Sequence, residues 1–312
     1  MVERRFFNAH LFTACAAGLA VMLQIVLGAL TRLTGSGLAC PDWPLCYGFW
    51  FPTPTALAGL DIDYSFFQVM LEWGHRFNAA AVVAPLVFAI CLFAWFERKL
   101  SPVNFRISAA ALVTLMIQGG VGGLTVFELN SPWSVAVHLG LASILLALIV
   151  SNICLKCVSY SDWSSSASTQ GCQLVATLGV LVLITMISGA IVAKSGATLS
   201  CVGWPLCGDG LIPNFRDGGV LLHVGHRLLA LTTVVGLLWG SWRWRQLRHV
   251  AVLGFAQVLL GAAVIAIYLN YSGNLQVVIG VVHQFVAMII FAALVWTFWT
   301  LPVAEKVARK KL

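Results

Sequence analysis

This sequence is short of charge. Asp, Glu, Lys and Arg make up 9% of its 312 residues, against about a quarter in an average soluble domain, while 60% of residues are hydrophobic. A soluble globule is excluded by that balance. Acidic side chains are the scarcer kind, 11 against 18 Lys and Arg, which leaves a formal net charge of +7. The bases lie scattered in short segments between apolar runs and form no single basic face, so nucleic acid is not the partner they imply. The chain also lacks the marks of a cleaved leader. Its first apolar run, from about Leu11 to Leu30, is too long for a signal-peptide core, and Arg32 and glycines follow it where small cleavage-site residues would stand. No acid-poor, Arg- and Ser-rich transit segment precedes it, so the expected location is a bacterial plasma membrane rather than an organelle.

What the chain has instead is apolar length. About 20 apolar residues cross a bilayer as a helix, and runs of that order fall at 11–31, 77–96, 107–127, 133–154, 173–193, 228–242, 250–269 and 277–301. The reading is an all-α integral membrane protein of eight transmembrane helices. With both termini in the cytoplasm, Arg4, Arg5, Arg98, Lys99, Arg106, Lys156, Arg243, Arg245, Arg248, Lys306, Arg309, Lys310 and Lys311 fall inside. Arg32, Arg76, Lys194, Arg216 and Arg227 fall outside or at outer helix ends, a bias of the sign that sets topology. The outer loops are unequal: a long one at 33–72, one of medium length at 195–222, and two short ones near 128–132 and 270–276. Between the fourth and fifth spans, Ser159 to Gln170 contains Ser164-Ser165-Ser166-Ala167-Ser168 and reads as a linker.

Landmarks on either side of that linker repeat in order. Gly28-Ala29 recurs as Gly189-Ala190, Gly35 as Gly196, Leu38 as Leu199, and Cys40…Trp43-Pro44-Leu45-Cys46 as Cys201…Trp204-Pro205-Leu206-Cys207, all at an offset of 161. His75-Arg76 then matches His226-Arg227, Gln118…Gly122 matches Gln257…Gly261, and His138 matches His283. The pattern is that of a duplication. Equivalent positions are four spans apart, so the expected halves are two tandem four-helix bundles inserted in parallel, unlike inverted transporter repeats. The expected boundaries are 1–158, a cytoplasmic linker at 159–172, and 173–312.

Each half carries a Cys-x5-Cys pair on the side assigned as external, where disulfides persist. Free thiols or a thiolate metal site are the other readings, although the spacing is not a usual zinc spacing. In loops this short a bridge gains little entropy and would shape a lid or exchange electrons. The five other cysteines read as small hydrophobic residues.

Four of the seven histidines, His75, His138, His226 and His283, stand at the outward-facing starts of helices two, four, six and eight. A lone histidine there is ordinarily an interfacial hydrogen-bonding residue. Four at repeated positions point instead to ligands, because two imidazoles on neighbouring helices of a bundle can grip a haem iron from both sides. His10 and His249 lack this pairing and read as ordinary polar residues. Arg76 and Arg227 follow two of these histidines, placed either to bind haem propionates or to snorkel to lipid headgroups. Glu72 stands three residues before His75, where the other half has His223 before His226. Glu72 reads either as a first-turn carboxylate complementing the helix dipole or as an acid/base group beside the first site.

Thr31-Arg32-Leu33-Thr34-Gly35-Ser36-Gly37, Glu72-Trp73-Gly74-His75-Arg76, the outer Cys pairs, His226-Arg227 and His283 together resemble the haem A synthase family, over nearly the whole chain and in order. The resemblance implies an oxidoreductase that takes the C8 methyl of haem O to a formyl group for cytochrome oxidase biogenesis. It implies that His75 and His138 receive substrate haem O, that His226 and His283 hold a haem b, and that Glu72 is catalytic. Cys40–Cys46 and Cys201–Cys207 match the family's outer-loop pairs. Many relatives lack one or both pairs, so the resemblance does not make them necessary for catalysis. His223 competes with His226 as ligand; the shared Arg favours His226. The implied partners are haem O synthase, an electron partner and the surrounding lipid. A di-haem cytochrome b that only transfers electrons would use the same histidines without needing the Glu72/His223 difference, and in a transporter they would be structural.

Overall fold

The computed structural model describes residues 2–158, 160–166, 169–204, 207–208 and 213–309. Lys310, Lys311, Ser168 and the Pro205-Leu206 match of the repeat lie outside them. Among the described residues there are eight helices long and apolar enough to cross a membrane. They are α1 (Val2–Leu33), α2 (Phe66–Phe96), α3 (Pro102–Phe127), α4 (Pro132–Cys157), α5 (Thr169–Lys194), α6 (Gly218–Arg243), α7 (Arg248–Asn270) and α8 (Asn274–Arg309). The chain is a multi-pass membrane protein. Helix is the form such segments take because no water is available in hydrocarbon to satisfy a backbone left open.

The side chains sort as they do in a lipid solvent. On α1, Phe12 is 76% and Leu19 71% exposed, whereas Ala14 and Ala17 are completely covered. Large apolar groups thus face outward, and small ones let helices approach. Helix α1 packs against α4 and α8, and α4 packs against α5 and α8. A single apolar core, including Ile25, Leu146, Leu178, Leu237 and Met288, runs through both sets of four helices.

Three helices start well before the runs read from sequence, α1 among them, at Val2 rather than near 11. Helix α2 begins at Phe66 rather than near 77, opened by Ser65, whose hydroxyl accepts from the Gln68 amide while the Gln68 side chain accepts from the Ser65 amide. Helix α6 begins at Gly218 rather than near 228, capped by the Asp217 carboxylate on Gly219 N and Val220 N. The charges at Glu72, Arg76 and Arg227 cut the apolar windows short, but not the helices. The four candidate histidines therefore lie about two turns inside their helices rather than at the starts. Within α2 the segment Asn78–Val83 is a π-helix directly after His75-Arg76, a distortion that is frequent at functional sites.

Between α4 and α5 the Ser-rich stretch holds a short helix, Tyr160–Ser166. Its Trp163 indole donates to the Phe298 carbonyl at 3.0 Å and packs on the Trp299 ring, so this stretch is anchored to α8 and is more than a spacer.

At the end of the bundle remote from the cysteine loops, His10 is fully buried. Its Nδ1 lies 3.1 Å from Glu97 Oε2 and its Nε2 3.1 Å from Asn152 Oδ1. Lys156 pairs with Glu97, and Asn152 donates to Asn104 and Ser108. His10 is thus a satisfied polar residue tying α1 to α4 together at that end.

Candidate functional site

The four histidines come to the same end of the bundle as the cysteine loops, and all four are seated in one manner. A Cβ added to Gly28 on α1 would lie 3.0 Å from the Cε1 of His75. The corresponding distances are 3.2 Å from Gly122 on α3 to His138, 2.9 Å from Gly189 on α5 to His226, and 3.4 Å from Gly261 on α7 to His283. Each imidazole lies on a strip of bare backbone, and at Gly28, Gly122 and Gly189 even a methyl would crowd the ring. Among the described residues no glycine seats His223 in this way; its Nδ1 donates to the Ala197 carbonyl at 3.1 Å.

Polar neighbours fix the rings. The Gln24 amide lies 3.1 Å from His75 Nδ1 and donates to the His75 carbonyl. Gln118 does the same to His138 and Gln257 to His283, at 3.2 Å from a ring nitrogen in each case. For His226 the neighbour is the Ser188 hydroxyl, 2.9 Å from Nδ1. Sequence reading paired Gln118…Gly122 with Gln257…Gly261 but missed Gln24, which with Gly28 is a third instance of the same Gln-x3-Gly spacing. That recurrence was the signal available.

These seats fit a haem. The His75 and His138 rings lie edge to face at 62°, with ring centres 6.5 Å apart. A metal binds an imidazole nitrogen at about 2 Å, with the ring centre about 1 Å further, so rings gripping one ion from opposite sides have centres roughly 6 Å apart. Among the described residues, no three of His, Cys, Asp and Glu converge on one point. Two imidazoles leave a bare ion poorly held, but they complete an iron already bound by four ring nitrogens. Buried His138 Nδ1, Gln118 Oε1 and Gln257 Oε1 have no hydrogen-bond partner. A turned amide would offer that oxygen to the imidazole N–H, the usual support of a metal-bound histidine.

In the last four helices, His226 and His283 line a cavity of about 470 Å³, within the range of small-molecule and cofactor sites. Val182, Met186, Val264 and Ile265 form its apolar body, and Arg32, Arg227 and Tyr268 stand toward the cysteine-loop end. His223 lines the same cavity.

Glu72 and Arg76 are placed against the first cysteine loop. Glu72 is 4% exposed; one carboxylate oxygen accepts from Cys40 N at 2.8 Å and the other from Arg76 Nη2 at 2.6 Å. Arg76 also donates to the carbonyls of Cys40, Asp42 and Leu45. Glu72 lies beyond the first turn of α2, so the helix-end dipole reading does not apply to it. Arg76 binds the loop and the carboxylate rather than headgroups. Arg227 donates to the Cys201 carbonyl at 2.6 Å. The sulfurs of Cys40 and Cys46 are bonded with Cα atoms 4.7 Å apart, and those of Cys201 and Cys207 with Cα atoms 4.8 Å apart. The first loop lays the Trp43 indole on Gly123 of α3 and is tied down by Asn130, which donates to the Gly37 carbonyl.

Residues 10–295 match the family model described as cytochrome oxidase assembly protein, COX15-CtaA. A protein named heme A synthase from Alkalihalophilus pseudofirmus is 29% identical over 287 residues, covering 88% of this chain and 91% of that protein. One of the same name from Symbiobacterium thermophilum is 30% identical over 243 residues, 74% of each chain. Another from Shouchella clausii is 27% identical over 293 residues, 88% of this chain and 91% of the other.

Proposed function

This chain belongs to the haem A synthase family of cytochrome oxidase assembly proteins, and we propose that it oxidises the C8 methyl of haem O to a formyl group at the His75/His138 site. The observation that carries the reading is the pair of imidazoles 6.5 Å apart, each seated on a glycine of the neighbouring helix. One turn before His75 on the same helix stands a buried carboxylate. Spacing of three residues puts Glu72 and His75 on one face.

Methyl to aldehyde is a four-electron change. Two successive hydroxylations give an alcohol and then a gem-diol that loses water. Where water supplies the oxygen, each two-electron step releases two protons and passes its two electrons to an electron partner, and Glu72 is the group we assign to receive one proton or to stabilise the positive charge that precedes it. Arg76 and Cys40 N hold the carboxylate in place, and Trp43 with the rest of the first loop covers that end. His226 and His283 would hold a haem b, whose chemistry when bound is one-electron transfer. His226 is the assigned ligand over His223 because it shares the glycine seat of the other three.

In this reading the cysteine loops lie outside a bacterial plasma membrane and both termini lie in the cytoplasm. The last four helices form the electron-handling half and the first four the substrate half, a division that derives from duplication. Haem O arrives from its synthase, and the product serves cytochrome oxidase assembly.

Extraction of the haems from membranes supplied with haem O tests the assignment. The wild-type chain should yield haem A. Glu72→Gln should retain haem b but accumulate haem O or its alcohol, with product formation down by about 10²–10⁴-fold, the range for losing one general base or electrostatic group. Normal haem A from the variant would remove Glu72 from the chemistry, and a wild-type chain that binds haems yet forms no haem A would be an electron-transfer cytochrome.

A further inference from the structure

The cavity that contains His226 and His283 is not built by the last four helices alone. Arg32 and Leu33, from the last turn of α1, line it together with Gly280 and Gln284 of α8. Arg32 Nη2 donates to Gln284 Oε1 at 3.1 Å, one residue beyond His283, and Leu33 Cδ1 would touch a Cβ on Gly280 at 2.8 Å. A guanidinium is costly to hold in a membrane span and is normally paired there. Among the described residues no Asp or Glu forms an ion pair with Arg32. Its amide partner is neutral, so its charge is left uncompensated at the mouth of a cavity whose body is apolar.

The matching ligand is a flat apolar body with an anionic edge. A haem has that form, with two carboxylates side by side, and the planar guanidinium fork matches the geometry of a carboxylate. Resting on the haem b reading above, we infer that Arg32 is a carboxylate-binding residue for the haem of the second half, contributed across the molecule by the first half. Arg227, lining the same cavity from α6, is the other guanidinium at that mouth. The two sets of four helices thus share one binding site.

The full chain, purified in lipid nanodiscs and loaded with haem b or with its dimethyl ester, provides the test. With haem b, Arg32→Gln should retain the low-spin spectrum but lower the midpoint potential, because removing a cation favours the oxidised iron. It should also hold the haem roughly tenfold or more weakly, as expected for losing one charge-assisted hydrogen bond. With the uncharged ester, wild type and variant should bind alike, and Arg32→Lys should fall between the two with haem b.

A variant matching wild type with haem b, or one equally weakened toward both haems, would overturn the inference and leave Arg32 a packing residue. If Arg32→Gln does not insert, Arg32→Lys is read by the same pair of haems and decides in the same way. Failure of the haem b reading looks different: the wild-type chain would carry no haem b, or its low-spin spectrum would survive both His226→Ala and His283→Ala.

Discussion

At the scale of single residues, the glycine seats make a graded prediction. A methyl on Gly189 would meet His226 Cε1 at 2.9 Å, inside any real contact, while a methyl on Gly261 would meet His283 at 3.4 Å, near ordinary van der Waals distance. Gly189→Ala should therefore turn the imidazole and weaken haem b by about 10–100-fold, the range for disturbing a ligand's orientation, whereas Gly261→Ala should stay close to wild type. Haem-to-protein ratios after purification measure both. Equal losses would show that the seats do not govern the rings. The histidines themselves were legible because they recur at equivalent places. Their depth was not, because a window that counts apolar residues stops at Glu72 and Arg76, whereas the helix continues through a pair whose charges meet at 2.6 Å. The tie of Glu72 to Cys40 was hidden for another reason: it joins residues 32 positions apart.

Among the elements, α2 concentrates most of the site and most of the irregularity. Its start was readable as the box Ser65-x-x-Gln68, and the Gln68 side chain also donates to the Thr34 carbonyl, fastening the entry of α2 to the loop after α1. Ser65→Ala should cost about 1 kcal/mol, read as a lower midpoint of thermal unfolding in detergent with haem b retained. An unchanged midpoint would mean that lipid and packing alone fix that end. The π turn at Asn78–Val83 was not readable, since no residue type demands it. Asn78 nevertheless gives it a purpose: its side chain donates to Gln24 Oε1 at 2.8 Å, and Gln24 in turn contacts His75. Across the chain, helix number and order followed from apolar length, whereas starts and distortions depend on polar partners that sequence distance conceals.

For the whole molecule, the proposed topology puts the end bearing Cys157, at the foot of α4, in the cytoplasm. Cys157 is exposed. A membrane-impermeant maleimide should leave it unlabelled in intact spheroplasts and label it in inverted vesicles, with Cys157→Ser removing that signal. Labelling from outside would invert the proposed topology and place the cysteine loops in the cytoplasm.

The meeting of α1 with α8 also sets an order of events during synthesis. Leu33 and Gly280, like Arg32 and Gln284, are some 250 residues apart, so one wall of the second cavity emerges from the ribosome early and the opposite wall only near the end of translation. The first helix must wait in the bilayer, its arginine without the Gln284 oxygen to which it donates, until the last one arrives. A nascent chain arrested before α8 would have its cysteine loops and three of its four imidazoles in place, yet no closed pocket, so in the proposed haem b reading loading is confined to finished chains.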